Sequence, residues 1–422
     1  MNANDKVLNV LLLAEACNPA WSSVPLVGYQ MARALAARND LHVTVATHVR
    51  NRPQLETSEL ASRATIEYID SDAVAGPLFR LGKKLRGGDG LGFMTNTLAA
   101  YPGYIWFENL VHRRFCKDLA RGRFDLIHRI TPVSPTLSGP LVKLSRVPMV
   151  VGPVNGGLAW PKGYSDLQKD EREWLAPVRR LYKMMPFNRS TFRHAAAVIA
   201  GSNQAMKDVG TGNGPRIHLS ENGIDPNRFP LSDSWHEPSG RFQFAFAGRL
   251  VPCKGVRFVL EAMARSAALR ETDFVIVGDG PLRGELETLA AQLGIAERVQ
   301  FRGWVKQNEL SDILRRSQAF VFPSIREFGG GAVLEAMASG LPCIVTDYGG
   351  PAELVAEDCG IKVPIADRGN LVSHVQSAME ALLTDPARCR QLGTAAINRI
   401  RSQFTWSEKA RQVNELYRQL LA

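Results

Sequence analysis

Residues 319–353 constrain the fold of this chain more than any other stretch. A short apolar segment, residues 319–322, leads into a loop that contains three successive glycines at residues 329–331. Good helix formers fill residues 332–338, and a second apolar segment covers residues 343–346. The order strand, glycine loop, helix and strand is typical of half of a doubly wound α/β domain. In such a domain the loops lie at the carboxyl ends of parallel strands.

The glycine loop suits a ligand that carries both negative charge and hydroxyl groups. Glycines before a helix allow close approach of the backbone, and free N–H groups together with the helix dipole favour an anion. Glu327 precedes the glycines, and Glu335 follows eight residues later inside the predicted helix. Two carboxylates would repel a phosphate, so we expect them to bind hydroxyls of a sugar and of a ribose. For an isolated glycine loop, the alternative is a surface helix with unrelated acidic residues.

A second loop carries two cations. Residues 248–255 have the sequence G-R-L-V-P-C-K-G and follow an apolar segment at residues 242–247. Arg249 offers a planar fork to two oxygens and Lys254 a point charge, so together they can bind a diphosphate. The alternative is a solvated basic loop. The stretch is not a P-loop, because G-x-x-x-x-G-K-[ST] is absent.

These stretches resemble the retaining glycosyltransferases of family 4. The family signature has two glutamates separated by seven residues and continues as A-M-A-x-G-x-P, which residues 336–342 match. Residues 248–255 fit the family's G-R-L-x-x-x-K-G, and residues 277–281 fit its V-G-x-G-P. Residues 222–225 (N-G-I-D) resemble the family's linker before the second domain. The resemblance therefore recurs over most of the chain.

The resemblance implies an α/β protein of the GT-B class, with two Rossmann-like domains that face each other across a cleft. We expect residues 1–200 to form an acceptor-binding domain and residues 201–404 to form a nucleotide-sugar-binding domain. We expect the last helix, within residues 405–422, to cross back to the first domain.

The resemblance also implies the site residues. Arg249 and Lys254 would neutralise the leaving diphosphate, Glu327 would hold the donor sugar, and Glu335 would hold the ribose. The expected residues are Glu327, Arg249, Lys254 and His128 for catalysis; Glu335, Gly329, Gly330, Gly331, Arg302, Trp304 and Gly280 for the donor; and Gly28 and Asn155 on the acceptor side.

Two positions depart from the family pattern. Where the family often has a glycine-rich turn before the first helix, residues 18–25 have the sequence N-P-A-W-S-S-V-P, and Gly28 is the one glycine there. Many family members carry an H-x-H pair, of which this chain keeps His128 and has Ile130 at the second position. The sequence leaves open whether His128 belongs to the site or is structural.

The expected activity is transfer of a sugar from a nucleoside diphosphate sugar to a glycan or lipid-linked acceptor, in cell-surface polysaccharide or glycolipid synthesis. We expect neither a cofactor nor a metal, because cationic side chains can replace a metal in stabilising the charge of the leaving group. One alternative is a nucleotide-sugar-binding protein that has lost catalysis. Another, a nucleic-acid-binding protein, is suggested only by the pI of about 9.4 and lacks a recognisable module, so we expect no nucleic-acid partner.

The charge distribution suggests a location. Residues 1–205 hold 26 Lys and Arg against 16 Asp and Glu, and residues 206–422 hold 25 against 25, so the whole excess of +10 lies in the first half. Residues 98–119 are rich in aromatic side chains, and the alternatives are a core helix or a basic amphipathic surface that touches a membrane. Six scattered cysteines suggest a reduced compartment. We therefore expect a cytoplasmic protein that is peripheral at the anionic inner face of a bacterial-type membrane. The alternative is a cytoplasmic enzyme whose basic face is only solvated.

Overall fold

The computed structural model describes residues 6–73, 93–170, 183–365 and 368–422. It divides the chain into two compact units. The first unit comprises Met1–Gly157, Trp174–Glu221 and Trp406–Ala422. The second unit comprises Leu158–Glu173 and Asn222–Thr405.

The first unit is built on a parallel sheet with the strand order β3-β2-β1-β4-β5-β6-β7. Its central strands are apolar on both faces, as expected where helices cover both sides of a parallel sheet. The strands are β1 (Leu8–Ala14), β2 (Leu41–His48), β3 (Thr65–Ile69), β4 (Leu126–Thr131), β5 (Met149–Val154), β6 (Ala197–Ala200) and β7 (Arg216–His218).

The second unit is built on another parallel sheet, with the order β10-β9-β8-β11-β12-β13. Its strands are β8 (Gln243–Ala247), β9 (Asp273–Val277), β10 (Val299–Gly303), β11 (Ala319–Phe322), β12 (Cys343–Thr346) and β13 (Gly360–Val363). The expected strands at residues 319–322 and 343–346 are therefore found with the same bounds. The weakly apolar β7 and β13 were not expected.

The helices connect and cover the strands of both sheets. In the first unit they are Val24–Ala36, Arg52–Leu55, Glu59–Arg63, Phe93–Ala120, Leu141–Leu144, Asn188–His194, Asn203–Val209 and Trp406–Leu421. In the second unit they are Ser165–Asp170, Val256–Arg265, Arg283–Gln292, Gln307–Arg316, Gly331–Ala338, Gly349–Leu354, Arg368–Leu383 and Pro386–Arg399, followed by a π-helical turn at Ile400–Phe404.

The last helix, Trp406–Leu421, belongs to the first unit as expected. Its buried face, with Val413 and Tyr417, joins the same apolar cluster as Met31 of the helix Val24–Ala36. The helix Val24–Ala36 includes Pro25 in its first turn, where a missing N–H costs no hydrogen bond.

The division of the chain differs from the expected boundary at residues 200 and 201. The first unit continues to Glu221, because β7 pairs with β6 through Ile199 and Ile217. The second unit also includes Leu158–Glu173, which was expected in the first domain. Tyr164 explains this assignment, since its ring is fully buried in the core of the second unit.

Four aromatic residues of the long helix Phe93–Ala120 (Tyr101, Tyr104, Phe107 and Phe115) are buried, whereas Trp106 is half-buried. Tyr104, Phe107, Val111 and Phe115 are all buried and pack against the sheet. The alternative in which these side chains face a membrane is therefore wrong, and the core-helix alternative is right. The basic residues Arg80, Lys83, Lys84 and Arg86 lie outside the described residues. Within the described ranges, no helix is both long enough and apolar enough to cross a membrane.

Candidate functional site

The two motif loops lie side by side in the second unit. β8 and β11 are neighbouring parallel strands, with Ala319 opposite Phe244, so the loops at their carboxyl ends are adjacent. The cation loop follows β8, and the glycine loop follows β11. The sheet therefore brings together two motifs that are about 80 residues apart in the chain.

The cation loop is fixed by backbone contacts with the loop of β9 and with the end of β11. The amide of Leu250 donates to the carbonyl of Asp279 at 2.9 Å, and the residues Pro252–Lys254 form a 3₁₀ turn. Gly255 has a φ of +72°, and a Cβ there would lie 2.2 Å from the carbonyl oxygen of Pro323. Only glycine fits this close approach, which fixes the position of Lys254 beside the glycine loop.

Lys254 and Glu327 form an ion pair, in which the Nζ of Lys254 donates to the Oε2 of Glu327. Both side chains are mostly buried, at 18% exposure each. The Nζ of Lys254 also lies 5.2 Å from the ring centroid of Phe322, within the range of a cation–π contact. The carbonyl of Cys253, next to Lys254, accepts from the amide of Ile325 at 2.7 Å, which holds the two loops together.

The carboxylate of Glu327 is also held by the glycine loop. Its Oε1 accepts from the amides of Gly329 and Gly330, both at 3.3 Å. Burial alone would raise the pKa of Glu327, but the charge of Lys254 and these hydrogen bonds together hold it below its usual range. Glu327 is therefore ionised in the site near neutral pH.

Glu335 lies in the second turn of the helix Gly331–Ala338, past the glycine loop. Its carboxylate accepts from the side-chain amide of Gln307 at 3.3 Å. Burial raises the pKa of Glu335 to about 7, because the Gln307 contact compensates only part of the lost hydration. The two glutamates therefore differ: Glu327 is paired with a cation, whereas Glu335 is poised to lose a proton near neutral pH.

The other expected site residues lie in the two motif segments, in the loop after β9 and at the end of β10. Arg249 is exposed, and within the part of the chain that the structure describes its side chain makes no hydrogen bond or ion pair. Gly280 packs closely on the cation loop, since a Cβ there would lie 2.4 Å from the carbonyl oxygen of Leu250. Arg302 contacts Glu309 at 3.3 Å, and Trp304, just after β10, is 70% exposed. Gly331 begins the helix Gly331–Ala338.

The contacts of His128 indicate a structural role in place of the expected catalytic one. The ring is fully buried, its Nδ1 lies 2.5 Å from the hydroxyl of Tyr417, and its Nε2 lies 2.7 Å from the carbonyl oxygen of Gly152. Burial lowers the pKa of His128 to about 4. Both nitrogens are occupied by partners in the first unit, so the ring has none to offer to a ligand.

The two acceptor-side residues have close contacts in the first unit. A Cβ at Gly28 would lie 2.2 Å from the carbonyl oxygen of Ala16, so glycine allows the helix to pack against the loop after β1. Asn155 is buried, its side-chain amide donates to both carboxylate oxygens of Glu221 at 2.8 and 2.7 Å, and its Oδ1 accepts from Ser202 at 2.8 Å. Both contacts shape the carboxyl edge of the first sheet.

Sequence reasoning missed Gln307 and Arg326. Gln307 opens a helix and gave no motif signal. Arg326 is 9% exposed, and its Nε donates to the carbonyl of Leu158 at 3.0 Å. The sequence could have drawn attention to Arg326 because it directly precedes Glu327. Its contact with Leu158, more than 160 residues earlier, is seen only in the fold.

The chain contains one Asp-x-Asp sequence, Asp70-Ser71-Asp72, directly after β3 in the first unit. The carboxylate of Asp72 lies 3.4 Å from the Nε2 of His48. Within the described residues, no group of three or more His, Cys, Asp or Glu side chains is arranged to hold a metal ion.

Comparison with known proteins identifies the class of the chain. Residues 27–223 match the profile of the glycosyl transferase 4-like domain, and residues 227–399 match that of the glycosyl transferases group 1. A 2-deoxystreptamine glucosyltransferase from Streptomyces kanamyceticus is 30% identical over 289 residues, which cover 66% of this chain and 71% of that protein. The chain therefore belongs to the family-4 glycosyltransferases. Two other curated relatives are covered over only 54% and 61% of their length.

Solved structures show the same fold. Sucrose-phosphate synthase from Thermosynechococcus elongatus has a TM-score of 0.68 and 21% identity, with 98% of this chain and 99% of that chain covered. HepE from Anabaena, solved in complex with UDP and glucose, has a TM-score of 0.60 and 18% identity, with 97% and 99% covered. The two parallel sheets with their helices are the two Rossmann-like domains of the GT-B class.

Proposed function

We propose that this protein is a retaining glycosyltransferase that transfers a sugar from a nucleoside diphosphate sugar. The observation that carries the proposal is the placement of Glu327 between the ammonium group of Lys254 and the amides of Gly329 and Gly330. The ammonium group of Lys254, which can bind a phosphate, and the carboxylate of Glu327, which can accept hydrogen bonds from sugar hydroxyls, therefore lie at the same edge of one sheet. Membership of the family supports this reading.

The negative charge that develops on the leaving diphosphate must be stabilised during the reaction. When the bond between the anomeric carbon and the phosphate oxygen breaks, its electron pair stays on the diphosphate. Arg249 and Lys254 stabilise this charge, with the N–H groups at the start of the helix Gly331–Ala338. Cationic side chains fill the role that a metal has in other transferases, so the proposed reaction needs no metal.

The remaining donor contacts divide between the two glutamates and the exposed tryptophan. Glu335 accepts the hydroxyls of the ribose, and Glu327 accepts a hydroxyl of the transferred sugar. Trp304, at the carboxyl end of β10, offers a flat apolar face to the base. HepE was solved with UDP and glucose, which supports a uridine nucleotide as the first donor to test.

The acceptor is proposed to be a glycan or a lipid-linked glycan at an anionic membrane surface. The whole excess of positive charge lies in residues 1–205, which form most of the first unit. Each Lys or Arg near an anionic surface contributes about 1 kcal/mol, so several together are enough to localise a protein. This location fits synthesis of a cell-surface polysaccharide or glycolipid in the cytoplasm of a bacterium.

The alternative is a nucleotide-sugar-binding protein without catalysis. Purified protein incubated with UDP-, GDP- and ADP-sugars separates the two when water or an added glycan serves as the acceptor of the sugar, with the products identified by mass spectrometry. We expect consumption of one sugar nucleotide and release of its nucleoside diphosphate in wild type, and much slower consumption in Glu327→Gln. Binding of a sugar nucleotide without any turnover in wild type would favour the binding protein.

A further inference from the structure

A segment of the chain that precedes the second unit's sheet by about 80 residues is built into that unit beside the candidate site. We term residues 158–170 the strap. Tyr164 anchors it, since its ring is fully buried and its hydroxyl donates to the carbonyl of Ile365 at 3.1 Å. The helix Ser165–Asp170 contacts the Pro252–Lys254 turn, so one end of the strap packs on the cation loop.

The other end of the strap holds the residue directly before Glu327. The Nε of Arg326 donates to the carbonyl of Leu158 at 3.0 Å, and its guanidinium carbon lies 5.4 Å from the ring centroid of Trp160. The same carbon lies 4.9 Å from the ring centroid of Phe328, so the guanidinium of Arg326 makes cation–π contacts with two rings. We term the contacts of Arg326 with Leu158, Trp160 and Phe328 the clamp.

The backbone of Glu327 is also fixed by the first residues of the helix Gly349–Leu354. The amide of Gly350 donates to the carbonyl of Glu327 at 3.0 Å. Gly349 has a φ of +69°, and a Cβ there would lie 2.5 Å from that carbonyl oxygen and 2.8 Å from the Cδ2 of Leu158. In addition, the hydroxyl of Tyr348 donates to the carbonyl of Ala159 at 2.8 Å. Residues 348–350 thus contact both the backbone of Glu327 and the strap, and these contacts fix the position of Glu327.

We propose that Arg326 and Trp160 are positioning residues that aim the carboxylate of Glu327 at the donor sugar. The loop that follows Glu327 is a run of three glycines, which has large conformational freedom unless it is anchored. A displacement of about 1 Å at a reacting group can lower a rate by about 100-fold. The clamp prevents such a displacement without touching the substrate itself. This proposal rests on the proposed role of Glu327.

Four variants test the clamp. Arg326→Met removes the charge and the N–H donors at similar length, and Arg326→Lys keeps the charge without the planar group. Trp160→Leu removes the ring, and Trp160→Phe keeps one. Arg399 provides a matched control in the same unit, because its Nε donates to the carbonyl of Leu354 at 2.8 Å and its guanidinium lies 5.5 Å from the ring of Phe404.

The readouts are turnover of the sugar nucleotide that the mass-spectrometric panel identifies, and calorimetric binding of its nucleoside diphosphate. We expect kcat to fall about 10- to 100-fold in Arg326→Met and Trp160→Leu, with nucleotide affinity within about twofold of wild type. Trp160→Phe should retain most of kcat, and Arg399→Met should lose stability without a change in kcat. The double variant Arg326→Met/Trp160→Leu should be no slower than the slower single variant, because both remove one clamp.

Wild-type kcat in a folded Arg326→Met protein would overturn the proposal, as would a loss of nucleotide affinity that matches the loss of kcat. If wild type turns over no sugar nucleotide, the proposed function fails, and the clamp is then tested without activity. A crystal structure of Arg326→Met should show the Glu327 carboxylate displaced from the amides of Gly329 and Gly330. An unmoved carboxylate in that structure would refute the positioning role.

Discussion

The ammonium group of Lys254 is ion-paired with the carboxylate of Glu327. The cation that we assign to the diphosphate is thus neutralised by the carboxylate that we assign to the sugar. Both are mostly buried, so removal of either one leaves the other charge without its partner in a poorly solvated place. A donor that brings a phosphate to Lys254 and a hydroxyl to Glu327 supplies new partners to both groups.

The first prediction concerns the cations. Arg249→Ala and Lys254→Ala should each weaken binding of a nucleoside diphosphate by about 1.5–3 kcal/mol, the contribution of a hydrogen bond to a charged group. Lys254→Ala should have the larger effect, because it also leaves the charge of Glu327 beside the phosphates. Calorimetry with UDP and GDP measures both. Arg257→Ala is the control, since this exposed arginine follows the same loop and pairs with Glu261. Equal affinity in wild type and both variants would refute the assignment.

The second prediction separates the two glutamates. Glu335→Gln should weaken binding of the free nucleotide, because the ribose is part of that ligand. Glu327→Gln should not weaken binding of the free nucleotide, because it removes a negative charge beside the phosphates, and it should impair turnover of the sugar nucleotide. An equal loss of free-nucleotide affinity in both variants would contradict this division of roles.

The second prediction extends to pH, because burial raises the pKa of Glu335. Between pH 4.5 and about 7 the carboxyl of Glu335 is protonated in the folded protein and ionised in the unfolded chain. The free energy of unfolding should therefore fall as pH rises from 4.5 to about 7. Ribose hydroxyls favour the ionised form, so nucleotide affinity should rise with pH up to about 7 more steeply in wild type than in Glu335→Gln. Parallel pH profiles of calorimetric affinity in the two proteins would contradict the assignment.

The third prediction tests the structural role of His128. His128→Phe should leave the hydroxyl of Tyr417 and the carbonyl of Gly152 without this partner, at a cost of about 1–3 kcal/mol in unfolding free energy. Nucleotide affinity should not change. Since the folded pKa of His128 is about 4, below its usual 6.5, the stability that depends on the neutral ring should be lost as pH falls from 6.5 to 4. Urea unfolding at several pH values measures this, and a variant that is fully stable but has lost nucleotide binding would contradict it.

The fourth prediction concerns the membrane. The protein should float with vesicles that contain anionic lipid, and the bound fraction should fall with salt. Neutralising Arg80, Lys83, Lys84 and Arg86 should reduce flotation. The matched control neutralises four exposed bases of the second unit, Arg241, Arg257, Arg265 and Arg316, and should leave flotation unchanged. Protein that ignores anionic vesicles at low salt would refute the membrane proposal and leave the transferase proposal intact.

The candidate donor site was predictable where its residues lie close together in sequence. Glu327, the glycines and Glu335 share one strand-loop-helix segment, so local pattern alone placed them at a carboxyl strand end. The contact of Arg326 with Leu158 was not predictable, because it joins residues 168 positions apart. The inclusion of the strap in the second unit also depends on burial of Tyr164, which no local pattern reveals. His128 lies within β4 whichever role it has, and only its contacts to Tyr417 and Gly152 decide between the two roles.

The configuration of the product tests the central claim most directly. Proton NMR follows the anomeric signal while purified protein consumes the α-linked sugar nucleotide that the panel identifies. A retaining transferase should give an α-linked product, and Glu327→Gln should form it much more slowly. A β-linked product, or no consumption of any sugar nucleotide by folded wild-type protein, would contradict the proposed function.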